Sequence, residues 1–423
     1  MDTGGKLRFK IHNILYDINE NGITFDKAFD KISNDKVSSR DIAFINNVCL
    51  NTMRYSIHSK KIILKYVKKK PKTHEEVLLC SAITQIIYLD FKEYAVINST
   101  VEVAKKLRLF HGFINACLRK ISNDKKELKK TTVEYQDLPI WFKQKTKNLS
   151  NKQIKLFLEN FYNEPNLHLV FKDRKSLSNF SEELSITSET SGFLIKKKRV
   201  EDIPSYRDGD WWIQDFSSSF PLNNIENDII NKLNFDMCAA PGGKSFQILS
   251  KNKNIDLNDK SKKRTKILKR NLDRLNFNPI ITNTDVDELD KKPRYNFVVV
   301  DAPCSAIGTI RKNPEIFYRR QKPNFIELIN IQRKMLNVAS KLLKNNGVIL
   351  YMVCSFLKDE TTNQINYFLD NNKEFYLKNF SLKDKDTKNS YLIEDKKMLV
   401  LPSQINQYNI DGYFAAYLKK GSM

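Results

Sequence analysis

From the start of the chain to about residue 130, apolar positions recur at helical spacing, as in Ile42-Ala43-Phe44-Ile45 through Met53 and Val77-Leu78-Leu79 through Ile87. Glycine and proline are scarce there, so the pattern predicts a wholly helical domain over 1–130. The Lys- and Thr-rich stretch 124–134 reads as a linker, and Leu138-Pro139-Ile140-Trp141 opens a further element. Between about 140 and 205 a helix over 151–161 mixes with short strands such as 167–171, which predicts a small α+β module within 131–208. After Gly209 the pattern changes to strand-length apolar runs alternating with helical ones. Strands are expected at 235–238, 255–257, 280–281, 297–300 and 348–353, with helices at 245–249, 262–275, 324–343 and 359–369. Such alternation predicts an α/β domain over 209–423 with a parallel sheet, helices on both faces, and ligands at the carboxyl ends of the strands.

Charge adds a partner class. The chain carries a formal net charge of +23 and a pI near 9.5, which makes a polyanion the expected large partner. Lys68-Lys69-Lys70 with Lys72, and Lys196-Lys197-Lys198-Arg199, would then contact phosphates; otherwise they are solvated faces. The six cysteines are spread widely without a Cys-x-x-Cys pair, which suits a reducing compartment. The first twenty residues hold no apolar core of signal-peptide length and no segment reaches membrane-spanning length, so a soluble cytoplasmic protein is expected. All five histidines precede residue 169. The second half therefore offers no imidazole for a metal or a His-assisted triad, and no metal is expected.

The candidate chemistry lies at the strand ends. Cys238-Ala239-Ala240-Pro241-Gly242-Gly243-Lys244 follows a strand and opens a helix, a small-residue turn that lets backbone amides approach a ligand closely. It is not a phosphate-cradling P-loop, because Cys238 stands where the first glycine of that motif belongs. Asp259 lies after the next strand, near the spacing at which an acid meets ribose hydroxyls; it could equally cap a helix, and Asp256 competes for the role. Asp285, Asp301 and Cys354 also fall at or just past strand ends. Either Cys304, in Asp301-Ala302-Pro303-Cys304, or Cys354, in Tyr351-Met352-Val353-Cys354-Ser355, would alone read as a buried small side chain. Together, beside a ligand loop, they suggest covalent catalysis on an electrophile.

These motifs, with Gly308-Thr309-Ile310-Arg311-Lys312-Asn313-Pro314, Gln214-Asp215-Phe216-Ser217-Ser218 and Asp411-Gly412-Tyr413-Phe414-Ala415-Ala416-Tyr417-Leu418-Lys419, resemble the RNA cytosine-C5 methyltransferases of the Nol/Nop/Sun family. At the N-terminus, Ser39-Arg40-Asp41-Ile42-Ala43-Phe44, Tyr88-Leu89-Asp90 with Ala95 through Glu102, and Gly112 through Arg119 resemble the NusB-like RNA-binding domain. The resemblance covers nearly the whole chain. It implies a multidomain protein: an all-α NusB-like domain, a small α+β RNA-binding module, and a Rossmann-like S-adenosylmethionine-dependent methyltransferase domain. The fused arrangement is that of bacterial members that methylate a cytosine of 16S ribosomal RNA, and a monomer is expected.

By the same resemblance Cys354 is the nucleophile that adds to cytosine C6, and Asp301 holds the N3 and amino edge of the base. Cys304 assists loss of the C5 proton and product release. S-adenosylmethionine would lie over Cys238 to Lys244, with its ribose near Asp259, its adenine near Asp285 and its methyl near Asp301. The basic loop around Arg311 is expected to favour the Cys354 thiolate. The chain departs from the family pattern at Ala306, usually Gly, at Thr361, usually Asn, and at His168-Leu169-Val170, usually an Arg-Val-Asn-like stretch. A transfer-RNA methyltransferase would share all the chemistry, and a non-enzymatic assembly factor would need only the basic domains.

Overall fold

The computed structural model describes residues 3–33 and 37–421. It divides into two compact units, one of Met1–Leu149 with Ile310–Pro323, the other of Ser150–Thr309 with Asn324–Met423.

The first unit is built of helices, including Thr3–Asn21, Ser39–Arg54, Ser56–Tyr66, Thr73–Ile83, Glu93–Lys106 and His111–Asn123. The periodic apolar residues meet in its interior, where Ile45, Val48, Leu79, Ile83, Val96 and Ile114 are all fully buried. Ser38 starts one helix by accepting from the Asp41 backbone N–H, relieving one of the unpaired donors of a helix start. Cys49 and Cys80 belong to this core, and burial pushes the Cys80 thiol up to about 12, so it is an inert packing residue.

The expected boundary near residue 130 falls inside this unit. The stretch read as a linker carries a helical turn, Lys125–Leu128, and the chain beyond it stays tied to the helices. Lys61 Nζ reaches Asp137 at 2.7 Å, and the Tyr135 and Thr146 hydroxyls lie 2.9 Å apart. Ile310–Pro323, far away in sequence, also belongs here. Tyr318 is buried with its carbonyl accepting from Asn19 Nδ2 at 2.7 Å, and the Phe317 ring packs edge-on against Phe142 with centroids 5.1 Å apart. Periodicity reports only local structure, so contacts spanning almost three hundred residues leave no mark on it.

The second unit begins with helix Asn151–Asn160, started by a reciprocal pair in which Ser150 accepts from the Gln153 N–H and Gln153 reaches back. Strands β1 (His168–Phe171), β2 (Leu184–Ser188), β3 (Ser191–Leu194) and β4 (Trp211–Ile213) form an antiparallel sheet in the order β2-β3-β1-β4. His168, at the departure from the family pattern, is buried, with Nδ1 2.7 Å from the Gln214 carbonyl and Nε2 2.8 Å from Thr187 Oγ1. It is a satisfied core side chain rather than an RNA contact.

The large sheet takes β5 (Asn234–Asp236), β6 (Ile255–Asn258), β7 (Ile281–Thr282), β8 (Tyr295–Asp301), β9 (Leu343–Val353), β10 (Phe375–Lys378), β11 (Ile393–Glu394) and β12 (Lys397–Val400). A small hairpin of β13 (Ser403–Ile405) and β14 (Tyr408–Ile410) precedes the closing strand β15 (Tyr413–Lys420). The order is β11-β12-β15-β9-β8-β5-β6-β7, with β10 pairing with β15. The expected parallel sheet is thus only half correct. Strands β5 to β9 pair in parallel, as helical crossovers require, whereas the closing strand β15 is reversed and pairs antiparallel with β9, β10 and β12. Each central strand is buried on both faces: Phe297 and Val299 of β8 face one core, Val298 and Val300 the other.

Candidate active site

Register brings the two thiols together. In the parallel pair β8–β9, Val300 stands beside Tyr351 and Asp301 beside Met352, so the residues just past each strand share one end of the sheet. Cys304 Sγ and Cys354 Sγ lie 3.4 Å apart. The loop carrying Cys304 returns so that the Gly308 N–H donates to the Cys354 carbonyl at 3.1 Å, and the Gly412 N–H donates to the Gly308 carbonyl at 2.8 Å. A Cβ on Gly308 would stand 1.9 Å from the Gly412 carbonyl oxygen, which only glycine permits.

A buried carboxylate fixes this geometry. Glu360 is fully buried, and its Oε1 accepts from the Ser305 N–H at 2.7 Å. Its Oε2 accepts from both hydroxyls, Ser305 Oγ at 2.5 Å and Ser355 Oγ at 2.6 Å. Each serine directly follows one of the cysteines, so one carboxylate clamps both thiol-bearing loops. Hydrogen bonds to a charged group contribute about 1.5–3 kcal/mol each, enough to hold the sulfurs in place. Gln332 Nε2 ties the Pro303 carbonyl at 2.9 Å to the same cluster, and the Tyr351 hydroxyl donates to the Glu360 carbonyl at 2.8 Å. The sequence reading missed Glu360; a Ser after each cysteine was the visible signal.

Asp301 is held from two sides. Lys244 Nζ lies 2.7 Å from Oδ2, and the buried Tyr413 hydroxyl donates to Oδ1 at 3.1 Å. Burial works against the Lys244 ammonium, but the Asp301 charge and hydrogen bond outweigh it and hold its pKa above the ordinary lysine value. Lys244 therefore stays charged within electrostatic range of Cys354. Arg311 belongs to the unit of residues 1–149 and 310–323, where its carbonyl accepts from Arg54 Nη2 at 3.0 Å; within the other unit, Lys244 is a cation in range of Cys354. The hydrogen bond to Cys354 and burial push the Cys304 thiol well above its ordinary pKa, so Cys304 keeps its proton near neutrality.

The small-residue loop leaves β5 and enters helix Gly243–Leu249. Gly242 has φ +120, and a Cβ there would stand 1.9 Å from Phe246 Cζ, so the turn requires glycine. Asp236 anchors the loop from beneath, accepting from Ser245 Oγ at 2.6 Å and from the Cys238 N–H at 3.3 Å; burial raises its pKa to about 6. Cys238 is pushed up to about 12 by burial and the surrounding carboxylates, which makes it a wall of the site rather than a nucleophile.

Asp259 is buried at the end of β6 and accepts from the Ala240 N–H at 3.3 Å and the Ser261 N–H at 2.9 Å, with Arg264 Nη1 3.4 Å away. The helix cap is Ser261 itself, which accepts from the Arg264 N–H. Asp256 instead meets Tyr295 and Arg294, at the opposite end of the sheet from the loop. Asp285 lies half-buried just beyond β7, accepting from the Asp287 N–H at 3.2 Å. The fold thus gathers Cys304, Cys354, Asp301 and the loop with Asp259, while no hydrogen bond or ion pair ties Asp285 to that loop among the described residues.

Residues 221–419 match the model of a family described as 16S rRNA methyltransferase RsmB/F, and residues 6–123 match the NusB family. The ribosomal RNA small subunit methyltransferase B of Shewanella oneidensis is 26% identical over 439 residues, covering 98% of this chain and 99% of its own. That of Proteus mirabilis is 24% identical over 455 residues, covering 99% and 100%. Among solved structures, PH0851 matches with a TM-score of 0.71 at 20% identity over 99% of each chain. NSun6 from Pyrococcus horikoshii matches with a TM-score of 0.54 at 16% identity, over 66% of this chain and 97% of its own. Both structural likenesses bear on the fold.

The mixed sheet with a glycine turn after its first parallel strand, the family match over 221–419 and the NusB-family match over 6–123 are together those of an RNA methyltransferase of two or more parts. The chain belongs to the RsmB/F family of 16S rRNA methyltransferases, with a NusB-family domain at its N-terminus.

Proposed function

We propose that this chain methylates C5 of a cytosine in small-subunit (16S) ribosomal RNA, using S-adenosylmethionine and a covalent bond between Cys354 and cytosine C6. The observation that carries this reading is the pair of thiols 3.4 Å apart beside a carboxylate already held by a lysine and a tyrosine.

When bound, S-adenosylmethionine supplies a methyl group made electrophilic by its sulfonium. The Cys238–Gly243 backbone and the Asp259 carboxylate, joined by the Ala240 N–H, bring amides and one acid together, which suits a ligand with ribose hydroxyls. Asp285 is proposed for the adenine side. Cytosine C5 is too weak a nucleophile on its own. Addition of the Cys354 thiolate to C6 forms an S–C6 bond and pushes the electron pair of the C5–C6 double bond toward C5, which then accepts the methyl. Asp301, positioned by Lys244 and Tyr413, holds the N3 and amino edge and stabilises the charge that develops in the ring. Loss of the C5 proton, assisted by Cys304, restores the double bond and expels Cys354. Cys304 can take that proton only as a thiolate, so its own proton must first pass to solvent; its sulfur, 3.4 Å from Cys354, is placed for this second role. The base must leave its stack to reach these groups, at a cost of a few kcal/mol, so single-stranded or loop RNA is the favoured target. The charge of +23 suits such a substrate.

Bisulfite sequencing of ribosomal and transfer RNA from cells with and without the gene tests the proposal. The expected result is one 16S cytosine that loses protection with the gene; loss confined to transfer RNA would overturn the substrate assignment.

A further inference from the structure

A second polar cavity in the unit of residues 150–309 and 324–423 has no part in the chemistry above. It encloses about 520 Å³ where the end of β1 and the turn between β2 and β3 face the far end of helix Gly243–Leu249. Ligand pockets typically span about 300–1,000 Å³. Four lysines line it, Lys172, Lys251, Lys253 and Lys383, against a single acidic side chain, Glu189. None of the four lysines forms an ion pair with a carboxylate among the described residues, although most ordered lysines elsewhere in the chain that touch an acid lie on exposed faces. Neutral groups complete the lining, among them Ser188 and Asn223. Asn223 Oδ1 already accepts from Gln247 Nε2 at 2.8 Å, so the group it has left to offer is a donor.

Lys251 shows what the cavity lacks. Its Nζ donates to the Leu222 carbonyl at 2.6 Å, and burial, reinforced by the neighbouring charge of Lys383, lowers its pKa to about 7. Burial likewise lowers Lys172, against the opposing pull of Asp210 and Asp173. A cluster of ammonium groups raised in free energy by burial and mutual repulsion is stabilised by a bound anion. The walls come from the small β module and from the helices Phe216–Asn223 and Gly243–Leu249 with the loops beside them, so a strand lying there would touch both.

We propose that this cavity binds a phosphodiester of the substrate RNA backbone, fixing the strand without reading its sequence; this rests on the RNA substrate proposed above. Lys172 and Lys253 are the groups to test, since Lys251 also holds the backbone at Leu222. The experiment measures binding of the full chain to a small-subunit RNA fragment over a series of salt concentrations. Lys172→Gln with Lys253→Gln should weaken binding about tenfold at low salt and lower the log–log salt slope by about 0.7 per lost contact. S-adenosylmethionine affinity and thermal stability should stay as in the parent, and Lys291→Gln with Lys292→Gln, an equal charge change elsewhere on the unit, should have a smaller effect. Lys383→Gln alone provides a second, exposed variant and should shift the slope in the same direction. RNA affinity and slope equal to those of the control pair would overturn the proposal. So would saturable inorganic phosphate binding that Lys172→Gln removes while leaving RNA affinity intact, because the cavity would then serve a free anion. Failure of the parent chain to bind the RNA at all would count against the proposed substrate, a separable result.

Discussion

Cys354→Ala is expected to abolish methyl transfer, by about 10⁴-fold or more, as removal of a nucleophile from a concerted set of groups does. Binding of S-adenosylmethionine should remain nearly intact, because the loop amides, Asp259 and Asp301, the groups proposed to hold the donor, are untouched. The sulfur carries no structural duty that alanine cannot fill: the loops are held by Glu360 through Ser305 and Ser355, and by the Cys354 backbone carbonyl. The measurement is transfer of a labelled methyl group to small-subunit RNA, alongside equilibrium donor binding. Turnover near the parent rate would sink the assignment of the nucleophile.

Cys304→Ala should behave differently, although its sulfur is only 3.4 Å away. Bond formation through Cys354 should survive, and the release step should slow by about 10²- to 10⁴-fold, the usual range for loss of a general acid or base. A protein–RNA adduct resistant to denaturant should therefore accumulate and appear as a slow band on a gel. The double variant Cys304→Ala with Cys354→Ala should show no band. An adduct formed by Cys354→Ala and absent from Cys304→Ala would exchange the two roles.

Much of the catalytic half was legible in the sequence because its signals are local. A strand, a small-residue turn and a helix start announced the loop at Cys238 to Lys244, and two apolar runs ending in cysteine announced the thiols. That both cysteines meet follows from parallel register, which alternating strands and helices already imply. What escaped depends on contacts distant in sequence. Glu360 clamps Ser305 across 55 positions, and Tyr413 reaches Asp301 across 112. Neither leaves a periodic trace. Lys244 is a further case: its charge is held beside the thiols by Asp301, 57 positions away in sequence. The insertion of Ile310–Pro323 blurs the boundary expected near residue 130. A cut there would remove Asn19, which holds the Tyr318 carbonyl, and leave buried aromatic side chains of the inserted segment uncovered.

The central claim is a bond between Cys354 and C6 of a cytosine. RNA carrying 5-fluorocytidine tests it most directly, because a fluorine at C5 cannot be lost as the proton is, so the ring cannot re-form and Cys354 cannot leave. Incubation of the parent protein with this RNA and S-adenosylmethionine, followed by proteolysis and mass spectrometry, should find one methylated nucleotide attached to the peptide that contains Cys354. A nucleotide attached at Cys304, or no covalent product while unmodified RNA is methylated normally, would contradict the account.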